Sequence, residues 1–439
     1  MRIPVLHTIV LAVVTLAVIV GVVWLALNGD TRILREASFS QAEISPNADG
    51  KADATQISYW LNRDATVSIY FVAEDGERYY FRRDRERSRS LDEPYSVLFS
   101  GVVNGYQKRG DTFTGTIVAR LIPDGRYTWV IAADEKDTGR HAEITGTLVV
   151  TGGDPVMPEL RNFTTSPPEI TPNRDGISDR TAVNYYLNKD LNRDPDRNIG
   201  SVQVYLLAPD GVRYDLPEKE TVNPPGARGQ HTYDYAGGVD EGATPPPDGD
   251  YVVYAVAEDD TGQRVQVTTS LRITGGGVPR ADIVSPAVGD QIEFSSAFVT
   301  LGDTLYFTAT VENFGDADIR TTGPWPGTCY DLDQNFNTLG FAEQSGAFRI
   351  GMDFDTSPRN YPFRWAVGSP EDLIEKVIDG QTYYYLPQGA RAQVTGCIRM
   401  TYEPKRNPLY FWGGLIHQDV EITQFNNRVD PHSITIGVP

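Results

Sequence analysis

The chain has 439 residues and carries 59 Asp and Glu against 39 Lys and Arg, a formal net charge of −20. A surface this acidic disfavours binding to the phosphate backbone of nucleic acids, and the length is sufficient for three domains that each bury a core. The two cysteines, Cys329 and Cys397, do not form a CxxC pair, which argues against a zinc ribbon or a thioredoxin-type redox site.

The first element is an apolar segment, Val5 to Leu27, that contains no Asp, Glu, Lys or Arg. A helix of about 23 residues rises roughly 35 Å and crosses the roughly 30 Å hydrocarbon core of a bilayer. We therefore predict a single-pass membrane anchor with a short flank at 1–29. A cleaved signal peptide and a helix buried in a protein assembly are the alternatives. The flanking charges, Arg2 before the segment and Arg32 and Arg35 after it, do not decide its orientation.

Short stretches of alternating apolar and polar residues follow a polar tether at 30–38. Examples are TQISYWL at 55–61 and TVSIYFV at 66–72, and such alternation is typical of β-strands. Gly, Asp, Asn and Pro separate the stretches. The best helical candidate after the anchor is the brief stretch 370–378. The pattern predicts an all-β protein.

The sequence repeats itself over about 125 residues. SPNADGKAD at 45–53 returns as TPNRDGISD at 171–179, and PDGRY at 123–127 returns as PDGDY at 247–251. Several matches in the same order predict two copies of one β domain, at 39–153 and 160–276, joined by a short Pro-containing linker. Tyr127 and Tyr251 open a strand after a tight turn, which favours a tyrosine corner.

Both copies contain Pro-Asn-x-Asp-Gly-x-x-Asp, then Pro-Asp-Gly-x-Tyr, then Asp-x-x-Gly. This order resembles the Ig-like repeat of flagellar hook-capping proteins, over residues 39–276. The resemblance implies Ig-like β-sandwiches. Related repeats serve as spacers or interaction modules in exported bacterial surface proteins, so the resemblance says more about fold than about function. A membrane anchor departs from the hook-cap role.

The last third of the chain, 280–439, differs from the repeats. Its stretches at 301–318, 386–400 and 425–436 look like the adhesion-related (CARDB-type) Ig-like domain of bacterial surface proteins, whose marks include Val-x-Asn-x-Gly and a late Asn-Asn. An insertion at about 324–385 departs from that pattern. The whole chain is thus predicted to be three tandem Ig-like β-sandwiches behind one N-terminal hydrophobic helix.

Cys329 and Cys397 both lie in this third domain. We predict that they form a disulfide near strand ends, with their Cα atoms within about 7 Å of each other. Two buried free thiols are the alternative.

The repeated loop is the strongest candidate for a metal site. Short oxygen side chains at alternating positions around a Gly turn suit calcium, although neither copy has the bidentate Glu of an EF-hand loop. The alternative is a cluster of Asx turns that bonds its own backbone. The candidate ligands are Asn47, Asp49 and Asp53 in the first copy and Asn173, Asp175 and Asp179 in the second.

Aromatic residues of the third domain, Trp325, Tyr330, Trp365 and Trp412, are candidates for stacking sugars or anchoring a partner, with a core role as the alternative. No GxSxG, HExxH, Walker or GxGxxG motif occurs in the chain and its histidines are scattered. We therefore predict no enzymatic reaction and no required cofactor, with calcium as the candidate ion.

These features predict a membrane-anchored extracytoplasmic protein with a structural or adhesive role, as a stalk, scaffold or surface-assembly subunit. Its expected partners are the lipid bilayer or other copies through Val5–Leu27, and other surface proteins or glycans, but not nucleic acid. A filament subunit whose helix packs in a polymer core and a carbohydrate-binding surface protein are the alternatives.

Overall fold

The computed structural model describes residues 13–20, 32–191, 200–218, 223–286 and 288–437. Residues 13–20 form a helix whose apolar side chains are exposed, for example Leu16 at 63% and Ile19 at 52%. Among the described residues, no helix combines the length and the apolar character needed to span a membrane. The remainder of the predicted anchor, Val5–Leu27, lies outside the described residues.

The rest of the described chain is all-β and forms β-sandwiches around three separate hydrophobic clusters. We call residues 32–153, 154–276 and 277–437 the first, second and third modules. Alternation explains why the strands form: in TQISYWL every second side chain, Thr55, Ile57, Tyr59 and Leu61, is buried.

The first module contributes ten strands. One sheet has the order β1-β3-β6, and the other has the order β2-β10-β9-β4-β5. The strands are β1 Leu34–Phe39, β2 Glu43–Ile44, β3 Thr55–Leu61, β4 Ala65–Ala73, β5 Arg78–Arg87, β6 Tyr95–Phe99, β7 Val102–Asn104, β8 Thr116–Leu121, β9 Gly125–Glu135 and β10 His141–Val150.

The second module repeats this plan. Its sheets have the orders β11-β13-β16 and β15-β14-β17-β18-β8-β7, with β12 also paired to β18. A 3₁₀ turn, Val239–Glu241, follows β16. The strands are β11 Leu160–Ser166, β12 Glu169–Ile170, β13 Thr181–Leu187, β14 Ser201–Leu207, β15 Arg213–Asp215, β16 Gly229–Tyr235, β17 Gly249–Glu258 and β18 Arg264–Ile273.

The tyrosine after each Pro-Asp-Gly turn has the same role in both modules. The Tyr127 hydroxyl donates to the Pro123 carbonyl oxygen at 2.6 Å, and Tyr251 donates to Pro247 at 2.5 Å. Each bond ties the turn to the strand that follows it, so the hydroxyls reach back to the backbone as in a tyrosine corner.

The third module has sheets of the orders β19-β22-β29-β24, with β20 on β22, and β21-β31-β30-β25-β23-β28-β27, with β26 on β25. Its 3₁₀ turns are Pro370–Asp372 and Gln424–Asn426. The strands are β19 Ala281–Val284, β20 Ile292–Phe294, β21 Phe298–Thr300, β22 Thr304–Asn313, β23 Ile319–Thr321, β24 Cys329–Asp331, β25 Phe348–Phe354, β26 Phe363–Ala366, β27 Ile374–Ile378, β28 Gln381–Leu386, β29 Arg391–Arg399, β30 Leu409–His417 and β31 Val429–Gly437.

Cys329 and Cys397 are disulfide-bonded, with their Cα atoms 4.5 Å apart. They are direct partners on the parallel strands β24 and β29. The bond therefore joins the segment predicted as an insertion to the sheet.

Two sequence predictions about segments are wrong. The tether at 30–38 contains most of β1, and Ile33 and Leu34 are 1% and 3% exposed because they pack into the first core. The stretch 370–378 is a 3₁₀ turn followed by β27, since pairing with β28 overrides its weak helical pattern.

Replacing both cysteines by alanine should destabilise the third module. The disulfide spans 68 residues, and closing a loop of that length stabilises a fold by about 4 kcal/mol on the chain-entropy model. Calorimetry should show a lower melting temperature for the third module alone, and reduced wild-type protein should behave like the variant. Equal melting of oxidised and reduced protein would contradict the expectation.

Candidate functional site: the two joints between modules

The first joint is a continuous β-sheet. Strand β8 of the first module pairs antiparallel with β18 of the second, with Ile117 opposite Val265. Phe113 and Ile117 also pack against the core of the second module. Strands β7 and β8 have no counterpart in the described part of the second repeat, so the first repeat supplies part of its neighbour's sheet.

A buried ion pair holds the linker at this joint. The Lys189 ammonium donates to Asp154 at 2.8 Å and to Asp259 at 2.9 Å, and the Asp259 side chain is fully buried. The Gln263 amide donates to the carbonyl oxygens of Asp154 and Val156. The linker is therefore fixed by side chains of the second module at several points.

The Asp53 carboxylate bonds three backbone amides of the repeated loop in the first module. Asp53 accepts the backbone N–H groups of Asn47, Ala48 and Gly50 at 3.3, 2.9 and 2.7 Å. The Asn47 side chain accepts the N–H of Asp49 at 3.0 Å. The Asn47 bond is that of the Asx-turn alternative, whereas the Asp53 side chain reaches back across the loop.

The second copy has the same arrangement. Asp179 accepts the N–H groups of Asn173, Asp175 and Gly176 at 3.3, 3.2 and 2.7 Å. The Asp175 side chain accepts the N–H of Ile177 at 2.8 Å. Carboxylate oxygens have further lone pairs beyond these bonds, so calcium binding at either loop stays a prediction.

Each repeated loop lies at the end of its module that faces the following linker. Strands β1 and β2 precede the first loop, and β2 runs parallel to β10, the last strand of the module. This pairing places the loop at that end. The Pro46 carbonyl oxygen accepts the N–H of Asp154, and Pro172 accepts that of Gly277. Each loop thus lies beside the following linker.

The environments of the two loops differ. Asp49 is exposed, whereas Asn173 and Asp175 are 7% and 4% exposed. The third module covers the second loop: the Tyr385 hydroxyl donates to the Asp175 carboxylate at 2.8 Å, and His417 Nε2 donates to the Arg174 carbonyl oxygen at 2.9 Å. This contact is the second joint.

Two glycines bring the backbones of the two modules into direct contact. A Cβ atom at Gly176 would overlap the carbonyl oxygen of Ser345, and one at Gly346 would overlap the carbonyl group of Asp175. Both glycines have positive φ, 81° and 80°. The Arg320 guanidinium also donates to the Ser345 carbonyl oxygen. The joint therefore tolerates no side chain at either position.

Burial shifts the pKa values of ionisable groups at this joint in opposite directions. Burial, and then the neighbouring Asp175 charge, raises the pKa of Asp179 to about 6. Burial also raises the pKa of Asp175. Burial lowers the pKa of His417 to about 4, and the Arg174 carbonyl oxygen opposes that shift.

Most aromatic candidates for sugar binding lie inside the third module. Trp365, Tyr330 and Trp412 are 0%, 1% and 7% exposed, and Trp325 packs against the same core. The Trp365 indole N–H donates to the Thr328 carbonyl oxygen at 2.8 Å. The proposed surface role is wrong for the three buried residues, because sheet packing covers their faces.

Sequence reasoning missed two polar clusters. Asp290, Asp430 and His432 each place one ligand atom within 4.8 Å of the others, although the Asp430 carboxylate already accepts two backbone amides. In the second module, the two ring nitrogens of the fully buried His231 lie 2.7 Å from the Glu218 carboxylate and 2.7 Å from the Ala227 carbonyl oxygen. Only the fold brings these residues together, so no local motif signals them.

No family model matches the sequence, and no curated protein matches it. Similar solved structures include Escherichia coli alpha-2-macroglobulin, at 10% identity and a TM-score of 0.20 over 93% of this chain and 23% of that one. Latent PorU from Porphyromonas gingivalis is 9% identical, with a TM-score of 0.20, over 92% of this chain and 34% of that one. A structure from a 1.5-MDa bacterial ice-binding adhesin is 10% identical, with a TM-score of 0.18, over 93% of this chain and 100% of that one. The chain thus spans about a quarter to a third of the first two proteins, and scores this low do not constrain its function.

Gly176→Ala should loosen the second joint because its methyl group overlaps Ser345. Gly211→Ala is the matched control, since Gly211 lies in the same module at φ 86° with open space around it. We expect Gly176→Ala to cost about 1–3 kcal/mol more than the control. Calorimetry of both variants checks this, and equal melting would contradict it.

His417→Gln should change the pH dependence of stability. Between about pH 4 and 6.5 unfolded His417 gains a proton that the buried ring does not, so acid destabilises the fold. Asp179, whose pKa is raised to about 6, instead holds a proton in the folded state below about pH 6, so acid stabilises the fold. The two effects oppose each other. The variant should gain stability over wild type by up to about 1.4 kcal/mol per pH unit on acidification. Urea unfolding at pH 4.5 and 6 measures it, and a constant difference would contradict it.

Proposed function

We propose that this protein is an extracytoplasmic structural or adhesive component, in which three Ig-like β-sandwich modules form a semi-rigid arm on an N-terminal anchor. The observation that carries the proposal is the construction of the joints. One joint is a shared sheet with a buried ion pair, and the other is a buried loop in backbone contact. Modules connected in this way transmit force and hold a fixed spacing better than modules on free linkers.

The disulfide supports a location outside the cytoplasm. Bonds such as Cys329–Cys397 form and persist in oxidising compartments and are rare in the cytosol. The acidic composition suits an exposed, soluble surface.

The segment Val5–Leu27 supplies the proposed attachment. Its composition suits a lipid environment, and the helix at 13–20 leaves Val13, Leu16 and Val18 about as exposed as surface residues, at 60%, 63% and 59%. Exposing apolar side chains to water costs free energy, so we expect this helix to be buried in a bilayer or against other copies of itself. The second candidate function, a filament subunit with this helix in its core, rests on the same observation.

The resemblance of residues 39–276 to Ig-like repeats of exported bacterial proteins agrees with the proposal. Those repeats act as spacers or interaction modules, and the third module resembles an adhesion-related domain. On this proposal the arm projects its third module away from the surface that holds the helix, towards other surface proteins or glycans.

Protease treatment of intact cells tests the location. The three modules should be digested without lysis, while a cytosolic marker protein stays intact. Protection of the modules until lysis would contradict the proposal.

A cysteine in place of Leu16 separates the anchor from the filament. In a filament core, Leu16→Cys should give disulfide-linked copies on mild oxidation, and in a lone anchor it should give few. Val288→Cys is the control for random collisions, since Val288 is 92% exposed in the third module. Efficient cross-linking of the Leu16→Cys variant, without cross-linking of the control, would contradict the anchored arm and support the filament subunit.

A further inference from the structure

Strand β5 is a long basic edge in an acidic protein. Residues 78–89 contain six arginines and two acids, while the chain has a net charge of −20. In the described part of the chain β5 pairs only with β4. Its first half packs beside β7, whereas its second half, 83–87, is exposed and has no paired strand on its outer side. The equivalent edge strand of the second module, β15, has three residues, whereas β5 has ten. This edge therefore distinguishes the first module from its repeat.

The two acids of the strand are already engaged. The Ser68 hydroxyl donates to the Asp84 carboxylate at 3.1 Å and accepts the Asp84 N–H at 3.0 Å. The Glu86 carboxylate pairs with Lys136 at 3.0 Å. No ion pair between described residues joins Arg82, Arg85 or Arg87 to a carboxylate. The strand thus keeps a surplus of positive charge.

Three of these arginines converge. Arg82, Arg85 and Arg87 line one small pocket of about 50 Å³ together with Tyr59 and Tyr95. Burial, followed by the charges of Arg85 and Arg87, lowers the pKa of Arg82. Like charges held around one space repel each other, and an anion between them would relieve that repulsion.

We propose that edge strand β5 binds an extended acidic peptide segment of a partner protein. The segment adds to the sheet as a further strand and places one carboxylate among Arg82, Arg85 and Arg87.

Three features favour a peptide over another acidic polymer. An open sheet edge offers alternating N–H and C=O groups that match a peptide backbone. Alternate side chains of two paired strands share one spacing of about 6.6–6.8 Å, so carboxylates at every second position face Arg85 and Arg87. The pocket, of about 50 Å³, has room for a carboxylate, which guanidinium groups bind through paired hydrogen bonds, but not for a sugar ring.

Charged side chains on an edge strand also prevent sheets from joining each other. That role needs charge alone. It requires neither convergence of three arginines nor affinity for any ligand, so a binding experiment separates the two.

The probe is a fluorescein-labelled octapeptide of alternating Glu and Thr, titrated with the full chain in detergent and followed by fluorescence anisotropy. We expect saturable binding. Arg85→Glu with Arg87→Glu should weaken it by about tenfold or more, because two charge-assisted contacts are lost. Arg126→Glu with Arg228→Glu makes the same change in net charge at exposed sites away from Arg85 and Arg87 and should leave the affinity unchanged.

Two further probes test the strand itself. The same peptide with N-methyl groups at alternate residues keeps its carboxylates but cannot pair with the edge, and it should bind weakly. Polygalacturonate carries carboxylates without a peptide backbone and should also bind weakly. Equal binding of either probe, equal loss in both double variants, or no loss in Arg85→Gln with Arg87→Gln would overturn the proposal. Circular dichroism confirms that each variant is folded.

Discussion

One carboxylate, that of Asp179, holds three backbone amides of the loop on which the third module rests. These bonds set the loop's left-handed residues, Arg174, Gly176 and Ser178, at φ 58°, 81° and 55°. That shape presents Gly176 to Ser345 and the Arg174 carbonyl oxygen to His417. Without the carboxylate these amides would lose the acceptor that they share, and the joint would lose the loop shape that the third module covers.

The same loop structure is exposed in the first module and forms part of a joint in the second. In the first module Asp53 builds an equivalent loop that stays at the surface. The joint there comes instead from β7 and β8, which extend the neighbouring sheet. A repeated sequence motif therefore specifies a local shape, while the use of that shape depends on what packs against it.

The edge strands of the sheets in the first two modules are protected in different ways. In the large sheet of the second module, β8 covers the edge of β18, and the strand at the other edge, β15, is short. The first module keeps a long edge strand, β5, that is protected by charge. Closing or charging edges prevents unwanted pairing, and a charged edge still permits a complementary partner to pair.

Local patterns in the sequence were sufficient to predict the all-β class, the two-fold repeat and the tight turns, because alternation, Pro-Asp-Gly and Asx turns act over a few residues. It also placed Cys329 and Cys397 in one domain. Tertiary structure alone decided that β1 belongs to the first sandwich and that Trp365 and Tyr330 are core residues. It likewise decided that the second loop is buried by Tyr385, which lies 210 residues away in sequence. Contacts between distant segments depend on how whole sheets pack, and no local pattern encodes which faces will meet.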